Sequence, residues 1–381
     1  MKKRRMAALL SAALLLLTAC GPAEEGSGGE RNRDISRELE YEDSMELSYA
    51  EKFSVDYYTG GFALVTIDDS ERYLVVPEGG SCPEDLDEDI TVLYQPLDRI
   101  YLVASAVMDM FISMDALDVI RFTGTKADSW YLEEAKEAVE EGKILYAGNY
   151  SAPDYEQILA EGCNLAIENT MVYHTPEVKE QLEKFGIPVI VDYSSYEAEP
   201  LGRTEWVKLY GLLAGREEEA EEAFARQQNA FAAIGDAEDT GKTVAFFYIT
   251  SSGEVNVRKA SDYLPKMIEL AGGHYVFSDL GAEDDTASAT VNMQMEEFYA
   301  GAKDADYIIY NSTVDGELSS VEDLFGKSGL LKNFRAVQEG HVYCTTRDLY
   351  QSSMELGTMI ADIHGMLNGE EESLTYLYRL E

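Results

Sequence analysis

Nineteen residues in the middle of the chain, Arg216–Ile234, read REEEAEEAFARQQNAFAAI without a proline, a glycine or a turn signal. At 1.5 Å per residue a helix over this stretch is roughly 30 Å long, about the span of one folded lobe. Ala220, Ala223, Phe224, Ala230, Phe231 and Ile234 mark its apolar side, and glutamates fill its first turns, where the helix dipole favours them. Such a rod is a brace, and what it joins is read from its flanks.

Upstream, short apolar runs alternate with helical ones. RIYLVAS (99–105), KILYAG, NLAIEN and PVIVDY read as strands. AVMDMFISMDAL places Met108, Phe111 and Met114 on one helical face, and SWYLEEAKEAVEEG, APDYEQILAEG and TPEVKEQLEKFG are helical patterns closed by glycine. Thr175 followed by Pro176 is a helix start. The grammar is that of βα units on a parallel sheet. Downstream it repeats: TVAFFYI, ADYIIYN and HVYCTT are strands, with helices over SDYLPKMIELAGG, SVEDLFGKSGLLKNFRAVQEG and SSMELGTMIADIHGML. Before the first lobe, FSVDYYTGGFALVTIDDSERYLVV reads as a β-hairpin or small meander. The expected fold is therefore α/β: two Rossmann-like lobes with parallel sheets, joined by one long α-helix, with a β-hairpin at the N-terminal side.

The first twenty residues carry a second signal. MKKRR is basic, MAALLSAALLLL is apolar, and LTAC ends it with small residues before Cys20. This is a lipobox, which predicts a signal peptide over 1–19 and a diacylglyceryl group on Cys20. The apolar run is shorter than the ~20 residues a spanning helix needs. GPAEEGSGGERNRD then reads as a flexible tether, giving a lipidated linker at 20–42. The expected units beyond it are an N-terminal lobe (43–201), an interlobe helical segment (202–236) and a C-terminal lobe (237–381). The location follows as the extracytoplasmic face of the cell membrane, with the protein lipid-anchored and monomeric.

Charge excludes one class of partner. The net charge is −42, and losing Lys2, Lys3, Arg4 and Arg5 with the signal peptide makes it −46. Nucleic acid requires clustered Lys and Arg, so none is expected as a partner. Of the cysteines, Cys82, Cys163 and Cys344 remain after Cys20, an odd number with no zinc spacing and no disulfide framework. The four histidines are scattered, so no resident metal site is expected. Hydrolase and nucleotide-binding signatures (G-x-S-x-G, the P-loop, G-x-G-x-x-G after a strand) are absent, and the chain does not read as an enzyme.

Ligands of open α/β sheets bind outside the carboxyl ends of the strands. Those loops hold Lys126, Trp130, Tyr150, Tyr173 and His174 in the first lobe, then Tyr196 and Arg203 in SSYEAEPLGRTEW. The second lobe offers Arg258, Tyr263 and Tyr350. Aromatics with a few cations suit a flat, often anionic chelate, since rings stack and guanidinium groups bind oxygen. Trp206, one turn into its helix, reads as packed core.

A lipobox, a βα lobe, GIPV with its strand and polar loop, GRTEWVKLYGLLAGREEEA, one spanning helix and a second βα lobe together resemble the substrate-binding lipoproteins of ABC importers for ferric siderophores, haem or cobalamin. The resemblance runs from about Leu93 to Leu367. It implies capture of an iron-siderophore-type chelate in the interlobe cleft, with haem or cobalamin as alternatives, and delivery to an ABC permease and its ATPase. No covalent cofactor is implied besides the lipid on Cys20. For haem, Tyr173, His174, Met171 and Met293 are the possible axial ligands. A bare metal ion and a cleft hydrolase are the lesser readings. The resemblance also implies one permease-docking glutamate on each lobe. YEQILAEGCNLAI places Glu156 there, and EEFYAGAKDADYII places Glu297, with Glu296 beside it. Where the family usually has proline seven residues on, this chain has Cys163 and Asp304.

Overall fold

The computed structural model describes residues 33–235, 237–281, 289–371 and 374–381; the signal peptide, Cys20 and the tether as far as residue 32 lie outside these. The N-terminal strands form more than a hairpin. β1 (Tyr41–Ser44), β2 (Phe53–Tyr58), β3 (Phe62–Ile67), β4 (Glu71–Val76) and β5 (Ile90–Tyr94) make a five-stranded sheet in that order. The expected meander is β2–β4, antiparallel throughout. β5 joins parallel to β4.

The first lobe follows with β6 (Ile100–Leu102), α1 (Val107–Ser113), β7 (Ile120–Thr123), α2 (Glu133–Glu140) and β8 (Leu145–Tyr146). A small hairpin of β9 (Gly148–Asn149) and β10 (Ala152–Pro153) leads to α3 (Tyr155–Ala160), β11 (Leu165–Asn169), α4 (Pro176–Lys184) and β12 (Val189–Asp192). The sheet order is β12-β11-β6-β7-β8, with all pairs parallel. From β6 the chain winds first to one side and then, at β11, to the other. The order therefore reverses between β6 and β11, and a crevice opens at their carboxyl ends.

Three helices leave this lobe: α5 (Pro200–Glu205), α6 (Val207–Ala214) and α7 (Glu217–Ile234). The second lobe contains β13 (Thr243–Ile249), β14 (Val255–Arg258), α8 (Tyr263–Leu270), β15 (His274–Tyr275), β16 (Thr290–Met293), α9 (Met295–Ala302) and β17 (Tyr307–Tyr310). It continues with α10 (Ser312–Asp315), α11 (Val321–Lys327), α12 (Arg335–Glu339), β18 (Val342–Thr345), α13 (Leu356–Asn368) and β19 (Leu377–Arg379). Here β13, β17 and β18 give a parallel centre, and β14, β16 and β19 add antiparallel edges.

The rod is continuous and serves both lobes. Ala220, Ala223 and Phe224 lie in the core shared by the N-terminal sheet and the first lobe. Phe231 and Ile234, two to three turns further on, pack against the core of the second lobe. Two glycines let neighbours approach it closely. A Cβ on Gly211 of α6 would lie 2.4 Å from the Ala220 Cβ, and one on Gly357 of α13 would lie 2.7 Å from that of Ala230. Backbones this close leave room only for hydrogen, so α7 is clamped at one end by α6 and at the other by α13.

That shared first core also joins the N-terminal sheet to its lobe. Phe53, Val55, Val65 and Val75 from the strands meet Trp206, Leu209 and Tyr210 from α6 and its start. Trp206 is fully buried, with its ring 5.0 Å from Phe53 and its Nε1 donating to Glu197 Oε1 at 2.9 Å.

Candidate ligand-binding cleft

Between the lobes lies a cavity of about 320 Å³. Its floor on the first lobe is set by the switch point: Ala104–Ala106 follow β6, Asn169 ends β11, and Thr170 and Met171 come next. Asp192, Ser195 and Tyr196 come from the end of β12, and Arg203 from α5. The second lobe contributes Arg258 at the end of β14, Asp262 and Tyr263 at the start of α8, Ala289, and Tyr350 beyond β18.

The lobes also touch along one edge of this cavity. Gln351 Nε2 donates to Ser129 O at 2.9 Å, and its Oε1 accepts from Tyr131 N at 2.8 Å. Ser353 Oγ donates to Ala106 O at 2.6 Å, and Met354 N to Asp109 Oδ2 at 2.7 Å. Burial pushes the Asp109 carboxyl up to about 7. Arg347 lies over the Tyr131 ring at 4.9 Å.

Arg203 brings one of two guanidinium groups to the cavity. Its guanidinium lies 3.8 Å from the centroid of the Tyr263 ring, a cation–π contact across the gap between α5 and α8. The residue is 5% exposed, and neither Nε nor Nη1 has a hydrogen-bond partner among the described residues. A guanidinium cannot shed its charge, and burying one without partners is costly. Two donors of Arg203 are therefore unsatisfied within the described residues of the protein, and both are closed off from solvent in this arrangement of the cleft. Asp192 does not satisfy them. Burial pushes its carboxyl above the usual range, against hydrogen bonds from Tyr210 Oη (2.7 Å) and Ser194 Oγ (2.8 Å) and the field of Arg203.

Arg258 is held differently. Its Nη1 lies 3.5 Å from Asp262 Oδ2, its Nη2 donates to Tyr350 Oη, and its charge sits 5.0 Å from the Tyr350 ring centroid. Asn311 Nδ2 also donates to Tyr350 Oη, at 2.8 Å. Asp262 is further occupied as the cap of α8, accepting from Leu264 N at 3.0 Å.

Of the residues expected from strand-end loops, Tyr196, Arg203, Arg258, Tyr263 and Tyr350 line the cavity. Tyr196 is anchored by Thr170 Oγ1 at 2.9 Å. Trp130, the cap of the one-turn helix Ala127–Ser129, is 3% exposed and packs in the core of the first lobe, outside the cavity lining. Lys126 is exposed and sits 5.7 Å from the Tyr146 ring, away from the cavity lining. Tyr150 is half-buried against the other face of that sheet. Tyr173 and His174 are exposed on the one-turn helix after β11. Tyr173 accepts from Tyr193 Oη at 3.1 Å, and neither ring lines the cavity. Asp192 and Asp262 were not anticipated. The signals available were an acid ending the strand PVIVDY and one preceding a helix in SDYLP.

Cys82, Cys163 and Cys344 are free thiols, the last two buried. Among the described residues no three His, Cys, Asp or Glu side chains gather as a metal site. No helix there is long and apolar enough to cross a membrane.

A profile for periplasmic binding proteins matches residues 103–349. The chain belongs to the periplasmic binding protein family. An uncharacterized lipoprotein of Methanocaldococcus jannaschii is 26% identical over 361 residues, 89% of this chain and 83% of that protein. Among solved structures, a periplasmic heme-binding protein from Pseudomonas aeruginosa aligns with a TM-score of 0.57 at 16% identity, over 74% of this chain and 98% of its own. An ABC-type Fe3+-hydroxamate transport system from Saccharomonospora viridis aligns at 0.55 and 19% identity, over 71% and 93%. At these identities the likeness is one of fold: two lobes with a ligand cleft between them. As a periplasmic binding protein, the chain is a substrate-binding protein. Its N-terminal sheet, ending at Tyr94, lies before the matched span.

Proposed function

We propose that this periplasmic binding protein is the substrate-binding lipoprotein of an ABC importer, anchored through Cys20, and that it captures an anionic ferric chelate of the siderophore type. The observation carrying the ligand class is the buried, unpartnered guanidinium of Arg203 above the Tyr263 ring in the interlobe cavity. In a chain of net charge −42, two arginines converge on that cavity. At about 320 Å³ it is at the small end of ligand pockets, which favours a compact chelate over a broad macrocycle such as haem or a corrinoid. Of the side chains suited to haem ligation, Met171 lines the cavity and His174 does not.

The test is a thermal-shift and calorimetric panel of ferric hydroxamate, ferric catecholate, ferric citrate, haem and cobalamin. A ligand at 100 times its Kd adds ~2.7 kcal/mol to stability. Stabilisation by an anionic ferric chelate is the expected result. Stabilisation by haem alone, with a shifted Soret band, would replace this reading by the haem one. Turnover of a chelate in the cleft would replace it by an enzyme.

Delivery to the permease is assigned to Glu156 and Glu297. Both are exposed in the first turns of α3 and α9. Each helix precedes a parallel strand, so its N-terminus lies at the carboxyl edge of the sheet, the side on which the cleft opens. Reversing both charges should abolish uptake in cells and leave chelate affinity intact. Unchanged uptake would remove the docking role.

A further inference from the structure

Between β1 and β2 the N-terminal sheet presents five consecutive backbone amides to two carboxylates, Glu197 just before α5 and Glu205 at its end. Glu205 accepts from Ser48 N (2.9 Å), Tyr49 N (2.8 Å) and Ala50 N (2.9 Å). Glu197 accepts from Glu51 N (2.9 Å), Lys52 N (2.9 Å) and Trp206 Nε1 (2.9 Å). Both glutamates are buried, at 0% and 3% exposure. Lys208 Nζ lies 3.5 Å from Glu205 Oε1 and also donates to Glu46 O. A buried carboxylate is tolerated when several charge-assisted hydrogen bonds replace its water, and here the loop supplies most of them. Between the two carboxylates, Gly202 packs so closely that a Cβ there would lie 2.9 Å from Tyr49 O.

Next to Gly202 on α5, two residues before Glu205, is Arg203. α5 has six residues, all buried, and too few intrahelical bonds to hold its own orientation. One side of it is fixed by loop 48–52, and from it Arg203 reaches across to Tyr263 on α8. We propose that loop 48–52 is a positioning element of the cleft: by gripping Glu197 and Glu205 it sets α5, and with it the guanidinium that faces the ligand. Ser48–Lys52 lie outside the span matched by the family, so this part of the chain supplies what the two lobes alone do not. The inference rests on the cleft reading above, and its test needs no ligand.

The experiment is arginine-selective modification by phenylglyoxal of the whole mature chain, read residue by residue by mass spectrometry. Arg258 serves as the reference inside the same cavity. Glu205→Gln weakens the grip from the side chain, and Gly202→Ala pushes loop and helix apart at Tyr49 O while leaving both carboxylates charged. Each should raise the rate at Arg203 by about fivefold, a change of roughly 1 kcal/mol, with Arg258 unchanged. Glu199→Gln, an exposed neighbour paired with Lys266, should leave both rates as they were. An unchanged rate at Arg203 in both test variants overturns the proposal. So does an equal rise at Arg203 and Arg258, because that reports general loosening. Failure of the chelate panel would leave these rates intact, so the two ideas fail separately.

Discussion

Two arginines border the same cavity, each set against a tyrosine ring, and their surroundings are opposite. Arg258, on the second lobe, is enclosed by Asp262 and Tyr350, with Asn311 fixing the phenol from behind. Arg203, on the interlobe segment, has its ring contact and no described hydrogen-bond partner for Nε or Nη1. The contrast separates scaffold from site. A cation held in an ion pair shapes the wall, whereas one with unpartnered donors and only the field of Asp192 beside it has capacity left for an anion. Glu168 on β11 sharpens the point. It is fully buried with both oxygens unpartnered, yet burial pushes its carboxyl up to about 8, so it meets its environment by holding a proton. An acid has that escape and an arginine does not.

The largest expected effect tests Arg203 directly. Arg203→Gln should weaken binding of an anionic ferric chelate on the order of 100-fold, with the melting temperature little changed, by calorimetry and thermal scan. Equal affinity in the variant would break the distinction between the two arginines. Next comes Glu168, the unpartnered buried acid that burial keeps protonated. Its folded pKa, about 8, lies above the ordinary 4.5. The folded state therefore holds the proton more tightly, and stability is lost as pH rises through that window. Glu168→Leu should flatten this dependence and be more stable at pH 8 by on the order of 2 kcal/mol. Urea unfolding at pH 5 and pH 8 measures both quantities; a wild type that gains stability over that range would contradict the assignment.

Arg258→Gln should show the converse of Arg203. Leaving Asp262 and Tyr350 without their cation should cost about 1–2 kcal/mol of stability, while chelate affinity falls less than it does in Arg203→Gln. Greater loss of affinity here than at Arg203 would exchange their roles. The smallest effect concerns the frame that carries both side chains. Gly211→Ala forces α6 and α7 apart at Ala220 and should cost about 1 kcal/mol, the overlap outweighing the gain in helix propensity. A neutral or stabilising result would mean that the brace has slack there.

Composition and spacing determined the architecture. Apolar runs of strand length alternating with glycine-closed helices allow few arrangements other than βα units, and an unbroken helix flanked by two such sets must join them. Strand ends also indicated which loops border the gap, because that follows from topology. The N-terminal sheet was legible in part: the β2–β4 meander has turn signals, whereas β5 pairs with β4 after a long excursion that leaves no local trace. Side-chain direction was decided by the tertiary structure alone. Trp130 and Arg203 both come from the chain that follows strand ends near the cleft, and only packing buried one in the lobe core and put the other, on α5, at the cavity wall. The same holds for the free donors of Arg203. Whether a buried charge has a partner depends on groups such as Asp192, Tyr263 and the amides of Ser48–Lys52, which are distant in sequence and brought together only when the chain folds.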